Sequence, residues 1–484
     1  MVVQHNMQAA NANRMLNVTT SAQSKSTEKL SSGYRINRAA DDAAGLTISE
    51  KMRKQIRGLD QASTNAQDGV SSVQTAEGAL TEVHSMLQRM NELATQAANG
   101  TNSKDSDRQA IQDEIDQLTT EIDRVSETTK FNETYLLKGE AGTKKINMKA
   151  HDAGLKGTLT DNGDGTATFV MDTLNAGDKV SIGGKSYTIG SDDTDVNTWF
   201  TDNKITDTKD NKVTVNGTEY TYVGATAATG TAGAITAGWY AKTPTAPADK
   251  NASTTPDFAN VDKIKEAINK GGTAQVGTKT VTGMNDKNNA AGAAGVDGVS
   301  DTDATVISKK KAYELASKEL LKANQIGDTE NSAKVGVGAV DKPVSLTNGT
   351  GTFQIQTGSA KVANSLSFSL HVGADADMTN KIQVNIDAMD SASLGIKGLN
   401  VKDASGNAAT YAVDAISDAI SKVSSQRSSL GAVQNRLEHT INNLDNVVEN
   451  TTTAESRIRD TDMAEEMVNY SKNNILAQAG QSML

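Results

Sequence analysis

Apolar residues recur with heptad spacing near the start of the chain. Between residues 66 and 94 they are three or four positions apart, in the series Ala66, Val70, Val73, Ala76, Leu80, Val83, Leu87, Met90, Ala94. This spacing places one apolar stripe along one face of an α-helix and is typical of a coiled-coil seam. The pattern therefore predicts a long helix, which ends at Asn99-Gly100.

Two further stripes predict partners for this helix. One follows a restart near Ser106 and the other lies near the far end of the chain: Ile111, Ile115, Leu118, Ile122, Val125, and then Ile416, Ile420, Val423, Arg427, Leu430, Val433, Leu437, Ile441, Leu444, Val448. The short turn predicts that the first two helices are antiparallel. Arg427 alone interrupts the third stripe, and we expect it to snorkel to the bundle edge. Because one such helix is marginal in water, the three are predicted to bury one another.

The extreme ends carry weaker stripes of small, half-polar residues. These are Ala12, Met15, Thr19, Ala22 and Ser26 at the start, and Ala464, Val468, Ile475, Ala479 and Met483 at the end. Residues 1–38 have an excess of four positive charges, and residues 455–484 have an excess of two negative charges. The ends are complementary in charge but poor in core residues. We therefore expect them to be disordered, or nearly so, in a lone subunit and to fold when copies stack.

The middle of the chain has a different pattern. Residues 151–410 hold 30 of the 40 glycines and all four prolines. Asn216-Gly217 and Gly183-Gly184 each separate two short alternating runs, which predicts two β-hairpins. Helices are expected near 257–270 and 305–324, loops at 224–238 and 285–300, and strands at 365–372 and 381–386. The predicted fold is a mainly α helical bundle built from both chain ends, with a β-rich α+β middle forming one or two small outer domains.

Composition excludes several classes of function. The net charge of −11 argues against non-specific nucleic-acid binding. No cysteine is present, so thiol catalysis, disulfides and zinc thiolate sites are excluded. The N-terminus does not resemble a cleaved secretory signal, and no apolar run is long enough to span a bilayer.

Candidate chemistry is sparse. No HExxH motif, P-loop or GxSxG motif occurs, so we expect no enzyme activity, no cofactor and no metal. Asp41-Asp42 is interpreted as a bend or helix cap. The acidic runs at 161–165 and 373–377 lack the spacing of an EF-hand loop, and we interpret them as turns.

Several motifs at both ends closely resemble bacterial flagellin. They cover about the first 140 and the last 110 residues and include Ser31-Ser-Gly-Tyr-Arg-Ile-Asn-Arg-Ala-Ala-Asp-Asp-Ala-Ala-Gly-Leu-Thr-Ile-Ser49, Leu87-Gln-Arg-Met-Asn-Glu-Leu-Ala94, Thr129-Lys-Phe-Asn132, Gln434-Asn-Arg-Leu437 and Ile475-Leu-Ala-Gln-Ala-Gly480. The resemblance implies a structural subunit that polymerises into the extracellular filament for motility. Residues 1–42 and 451–484 would form the inner filament core, 43–150 and 360–450 the bundle with a β-hairpin, and 151–359 the outward-facing variable region.

The resemblance also implies partners and sites. Partners would be other copies of the chain, the flagellar type III export machinery with its chaperone and cap, and the animal Toll-like receptor for flagellin. The receptor-binding residues would be Arg89, Leu93 and Glu114, and their spacing predicts one exposed patch across two antiparallel helices. Residues implied in subunit assembly are Asp41, Asp42, Gly45, Leu46, Gln434, Asn435 and Arg436.

Two alternatives remain open at this point, and a third lacks the motif that it requires. Periodicity alone is compatible with an ordinary intracellular coiled coil. A hook–filament junction protein of the same superfamily would differ in its abundance in sheared filaments, whereas a flagellin with a metallopeptidase insert would need HExxH in the middle. Flagellins usually continue past a run like the one that ends here at Leu484, so we expect weaker polymerisation and weaker recognition by the cytosolic flagellin sensor.

Overall fold

The computed structural model describes residues 7–99, 106–227, 234–242, 255–286, 297–403 and 406–482. Long helices occupy the two ends of the chain, and short helices occur in the middle. The α-helices of the described residues are α1 (Met7–Ser32), α2 (Ala43–Ala98), α3 (Asp107–Thr128), α4 (Asp193–Asp202), α5 (Val261–Ile268), α6 (Lys309–Asn324), α7 (Ser391–Leu394), α8 (Asn407–Arg459) and α9 (Met463–Ser482). A 3-10 helix spans Met378–Asn380.

Strands begin where α3 ends and stop before α7. They are β1 (Lys130–Phe131), β2 (Thr134–Tyr135), β3 (Glu140–Asn147), β4 (Gly157–Asp161), β5 (Thr166–Met171), β6 (Lys179–Ile182), β7 (Lys185–Ile189), β8 (Lys212–Val215), β9 (Thr218–Val223), β10 (Gly238–Tyr240), β11 (Thr273–Val276), β12 (Lys279–Thr282), β13 (Val306–Ile307), β14 (Lys334–Gly336), β15 (Thr352–Gln356), β16 (Ser359–Asn364), β17 (Leu366–His371) and β18 (Lys381–Ile386). The predicted α bundle with a β-rich middle is confirmed.

The bundle core lies where α2 meets α3 and α8. All three predicted stripes contribute to one buried cluster, including Leu80, Leu87, Ile115, Ile416 and Leu430. Cross-helix contacts run in opposite chain directions, so both partners are antiparallel to α2. Arg427 reaches the bundle edge as predicted, where its Nη2 lies 3.5 Å from an Oε1 of Glu77.

The terminal helices α1 and α9 pack against each other as an antiparallel pair. Both segments are therefore helical in the structure, whereas the sequence predicted that they are disordered in a lone subunit. Each helix supplies the other with a packing partner. The predicted poor core is confirmed, because Ser26 is the one buried residue among the described residues of this pair.

A β-hairpin of β17 and β18 lies flat against α2. Strand Leu366–His371 pairs antiparallel with Lys381–Ile386, close to the predicted 365–372 and 381–386. Gly69 permits the close approach, because a Cβ there would collide with the side chain of Leu370. One further pair, β3 with β16, connects the bundle to the middle of the chain.

The middle contains two separate hydrophobic clusters. In the first, the sheets β14–β15–β5–β4 and β13–β7–β6 pack with α6, around Phe169, Phe353 and Leu320. In the second, the sheet β10–β9–β8–β11–β12 packs with α4 and α5, around Trp239, Phe200 and Ile264. Each has its own core, which agrees with the predicted one or two small outer domains.

The turn chemistry predicted for the middle is confirmed. Asn216 and Gly217 have φ of 49° and 84°, and Gly183 and Gly184 have 58° and 68°, as a type I′ hairpin requires. The helix predicted near 257–270 is α5, and the one near 305–324 is α6 preceded by the short strand β13.

Parts of some predictions lie outside the described residues: Gly100, 228–233 of one predicted loop, 287–296 of the other, and Met483. The described part of the loop at 224–238 already includes the start of β10. The proposed boundaries at 42, 150, 359 and 450 stay predictions. In the described ranges, every helix is too short or too polar to cross a membrane.

Candidate interaction surfaces

Arg89 of α2 and Glu114 of α3 meet on the bundle surface. The Arg89 Nε donates to a Glu114 Oε1 at 2.9 Å, and its Nη1 donates to a Glu92 Oε2 at 3.2 Å. The hydrogen bond to Glu114 and then that to Glu92 raise the pKa of Arg89. Both side chains of the inter-helix pair are about half exposed, at 50% and 44%. The prediction that Arg89 and Glu114 lie opposite each other on two antiparallel helices is thus confirmed.

Leu93 does not share this exposure, which corrects the predicted three-residue surface patch. It is only 2% exposed and belongs to the main bundle core. The single stripe read along α2 accounts for one buried face. Because α2 packs against both α3 and α8, it buries more than one stripe, and Leu93 falls on that additional buried surface. Met86, Leu93 and Ala97 share helical spacing and could have signalled it.

Asp41, Asp42, Gly45 and Leu46 build the corner between α1 and α2. The Asp42 Oδ1 accepts the backbone N–H of Gly45 at 2.9 Å and caps α2. An Asp41 carboxylate oxygen accepts the N–H groups of Asn37 and Arg38, and the bond from Arg38 is the main cause that lowers the pKa of Asp41. Gly45 is buried, whereas Leu46 is half-buried. The helix-cap interpretation of Asp41-Asp42 is confirmed.

The end of α8 crosses this corner and is hydrogen-bonded to it. Arg35 donates its Nη2 to the carbonyl of Ile458 at 2.6 Å, and its backbone N–H bonds the carbonyl of Arg459 at 2.7 Å. The Arg459 guanidinium lies 4.9 Å from the Tyr34 ring centroid and its Nη1 donates to a Glu50 Oε1 at 2.6 Å. That bond lowers the pKa of Glu50. We call this set of contacts the elbow; the sequence patterns did not indicate it.

Gln434, Asn435 and Arg436 lie far from the elbow. They sit in the middle of α8, level with about residue 70 of α2, as the contacts Ser63–Asp445 and Arg427–Glu77 show. At 1.5 Å per helical residue the separation is roughly 37 Å. The Gln434 amide bonds Glu438, and Arg436 lines a surface groove with Val372 and Thr379. The residues implied in assembly therefore form two surfaces rather than one.

The terminal helices expose apolar side chains. Of the thirteen large apolar side chains that are exposed among the described residues, eight lie on α1 or α9: Met7, Met15, Val18, Met463, Met467, Val468, Ile475 and Leu476. A concentration of exposed apolar side chains of this kind is typical of an interaction surface.

The carboxylates of the acidic run at 161–165 accept hydrogen bonds within a turn. An Asp161 carboxylate oxygen accepts the N–H of Gly163, and one of Asp164 accepts both the N–H and the hydroxyl of Thr166. In the ranges that the structure describes, no three His, Asp or Glu side chains converge as metal ligands.

The two ends of the chain match known protein families. The profile of the bacterial flagellin N-terminal helical region matches residues 3–141, and that of the C-terminal helical region matches residues 413–484.

Whole-length relatives carry the same description. A flagellin of Clostridium tyrobutyricum is 38% identical over 100% of this chain and 98% of its own length. A flagellin of Bacillus subtilis and flagellin D of Vibrio cholerae are each 32% identical over 100% of this chain and 95% of their own lengths. The match to the solved structure of FliC from Burkholderia pseudomallei covers 76% of this chain and 99% of that chain, at 16% identity and a TM-score of 0.23.

Proposed function

We propose, on the premise that this chain belongs to the bacterial flagellin family, that Arg89 and Glu114 form the surface recognised by the animal Toll-like receptor for flagellin. Family membership makes the chain a structural subunit of the extracellular flagellar filament, which polymerises with copies of itself, and not an enzyme. Receptor recognition is the additional function, and it rests on one observation: the Arg89–Glu114 pair on the surface.

The pair has the features of a binding hot spot. An arginine held in a fixed orientation offers its remaining N–H groups to acceptors of a partner with little further loss of side-chain entropy. Glu114 and Glu92 hold the Arg89 guanidinium in that orientation from two sides. Leu93 packs in the bundle core beneath this surface of α2 and is therefore left out of the proposed contact.

Replacing Arg89 and Glu114 together by alanine tests the receptor surface. We expect the loss of about 2 kcal/mol or more of binding free energy, roughly thirtyfold in Kd, with unchanged helicity. Kd is measured by surface plasmon resonance on the receptor ectodomain, and helicity by circular dichroism.

A second exposed pair on α3 supplies the matched control. Arg124 and Glu121 are joined at 2.5 Å with similar exposure, so their double alanine variant removes the same groups from another site. It should bind as the unaltered chain does. Equal affinity of the Arg89/Glu114 variant and this control would exclude the proposed surface.

We further propose that the chain leaves the cell through the flagellar type III export machinery, with a chaperone and the filament cap as partners. Helix α1 has one buried residue, so this segment unfolds at little cost, as a route for unfolded chains requires. The apolar side chains on α9 would need cover before assembly, which suits a chaperone.

Fusing residues 1–38 to a reporter that has no secretion signal tests the export route. The reporter should appear in the medium of a flagellated strain and stay inside a strain without the export apparatus, as measured by immunoblotting of both fractions. Equal release from the two strains would contradict the proposal.

A further inference from the structure

A cleft of about 900 Å3 opens beside the bundle, where β3 and β16 approach α7 and α8. Its apolar lining includes Ile146 and Val362, and its polar lining includes Lys144, Ser393 and Lys422. Neither the receptor surface nor the elbow involves these residues. The function proposed above therefore does not account for this cleft.

Lys422 of α8 enters this cleft without a carboxylate partner. Its Nζ donates to the carbonyl oxygen of Ser393 at 3.3 Å, and it forms no ion pair among the described residues. The nearest acid on its own helix is Asp418, whose carboxylate is occupied by Lys149 at 2.9 Å and faces His151 at 3.7 Å. A neutral amine still donates to a carbonyl, although more weakly than an ammonium, so the unprotonated form keeps a partner in this environment.

The charged surroundings support that conclusion. Burial lowers the pKa of Lys422, Asp418 acts in the opposite direction, and Lys149 lowers it further. On the opposite wall, Asp387 is engaged by Lys144 at 3.2 Å and by the Ser365 hydroxyl at 2.5 Å. An exposed lysine of the β8–β9 hairpin offers the contrast, because the hydrogen bond that Lys212 donates to Glu219 raises the pKa of Lys212.

The Ser393 side chain adds a second unusual group. Its hydroxyl oxygen is buried and has no hydrogen-bond partner among the described residues. An unpaired hydroxyl in a cleft that Lys144 and Lys422 also line suits a small anionic ligand, whose oxygens would accept from these groups.

We propose that Lys422 is a covalent modification site, at which its amine is acylated by small acyl phosphates. The nitrogen lone pair attacks the acyl carbon, and the bond from that carbon to the phosphate oxygen breaks. Phosphate leaves with the electron pair and the amine proton passes to water. The product is a neutral amide, which removes the uncompensated charge from the cleft.

Site-resolved acetylation of the full-length chain with acetyl phosphate tests this assignment. Rates at each lysine are followed by peptide mass spectrometry at several pH values. We expect the rate at Lys422 to exceed that at Lys212 by about threefold or more at pH 8, because more of the Lys422 amine is unprotonated. Its pH profile should also rise at lower pH than that of Lys212.

Acetylation with the uncharged N-hydroxysuccinimide ester of acetic acid separates the effect of the charge on the reagent from the reactivity of the amine itself. The ratio of the Lys422 rate to the Lys212 rate should be larger with acetyl phosphate than with the ester. An equal ratio would overturn the assignment to acyl phosphates, and a Lys422 rate at or below that of Lys212 with both reagents would overturn the site itself. The Lys422→Arg variant confirms that the measured peptide reports this lysine.

Discussion

Replacing Leu93 by alanine is expected to lower the free energy of unfolding of the bundle by about 2–5 kcal/mol. The Leu93 side chain is almost completely buried in the same cluster as Leu87, Met90 and Ile115. Its truncation removes apolar contacts and leaves a cavity that a bundle of long helices cannot easily close. Urea unfolding followed by circular dichroism at 222 nm measures the change.

Val447→Ala is the matched control for this prediction. Val447 is an apolar residue of α8 with 40% exposure, so its truncation should change the unfolding free energy by less than about 0.5 kcal/mol. The folded Leu93→Ala chain should still bind the receptor while Arg89 and Glu114 remain. A chain of normal stability that has lost receptor binding would instead restore Leu93 as a direct contact.

The burial of Leu93 shows how far the periodicity of apolar residues predicts this fold. One stripe per helix was enough to place α2, α3 and α8 and to predict that they bury one another, and the short turn made α2 antiparallel to α3. The stripe on α2 did not reveal that packing against both partners buries a second face of this helix, whose spacing is carried only by a few residues such as Met86 and Ala97. Hairpins were easier to predict, since Asn216-Gly217 determines its turn locally.

The elbow was missed for a different reason. Arg35 and the carbonyl of Ile458 are more than 400 residues apart in the chain, and a polar contact at that separation leaves no periodic signal. The same limit applies to the residues implied in assembly. Shared motifs named both Asp41–Leu46 and Gln434–Arg436, but only the three-dimensional structure separates a helix corner from the middle of α8.

The elbow has a mechanical consequence for the filament subunit. Both linkers between the bundle and the terminal helices are hydrogen-bonded to each other, with Gly33 and Thr461 joined at 3.0 Å. Helices α1 and α9 therefore leave the bundle as one paired unit. This arrangement presents their exposed apolar side chains on the same pair, where another copy of the chain can cover them together.

Deleting residues 1–40 together with 461–484 is expected to abolish filament growth while the bundle still unfolds cooperatively. The deleted helices carry eight exposed apolar side chains, and burying each half-exposed one contributes roughly 1 kcal/mol to assembly. The bundle keeps its main cluster and the Asp42 cap of α2. Seeded polymerisation of purified protein, followed by light scattering and electron microscopy, measures growth, and thermal circular dichroism measures the bundle.

A substitution in α9 distinguishes a requirement for the apolar surface from a requirement for the terminal helices themselves. Changing Val468 and Ile475 to glutamine keeps α9 intact but makes its exposed surface polar, and it should slow seeded growth strongly. Val170→Gln is the control, because Val170 is an exposed apolar residue of β5, away from the terminal helices, and filaments should grow from this variant normally. Normal growth of the α9 variant would show that the terminal helices assemble through polar contacts, and growth of the deleted chain would assign assembly to the bundle.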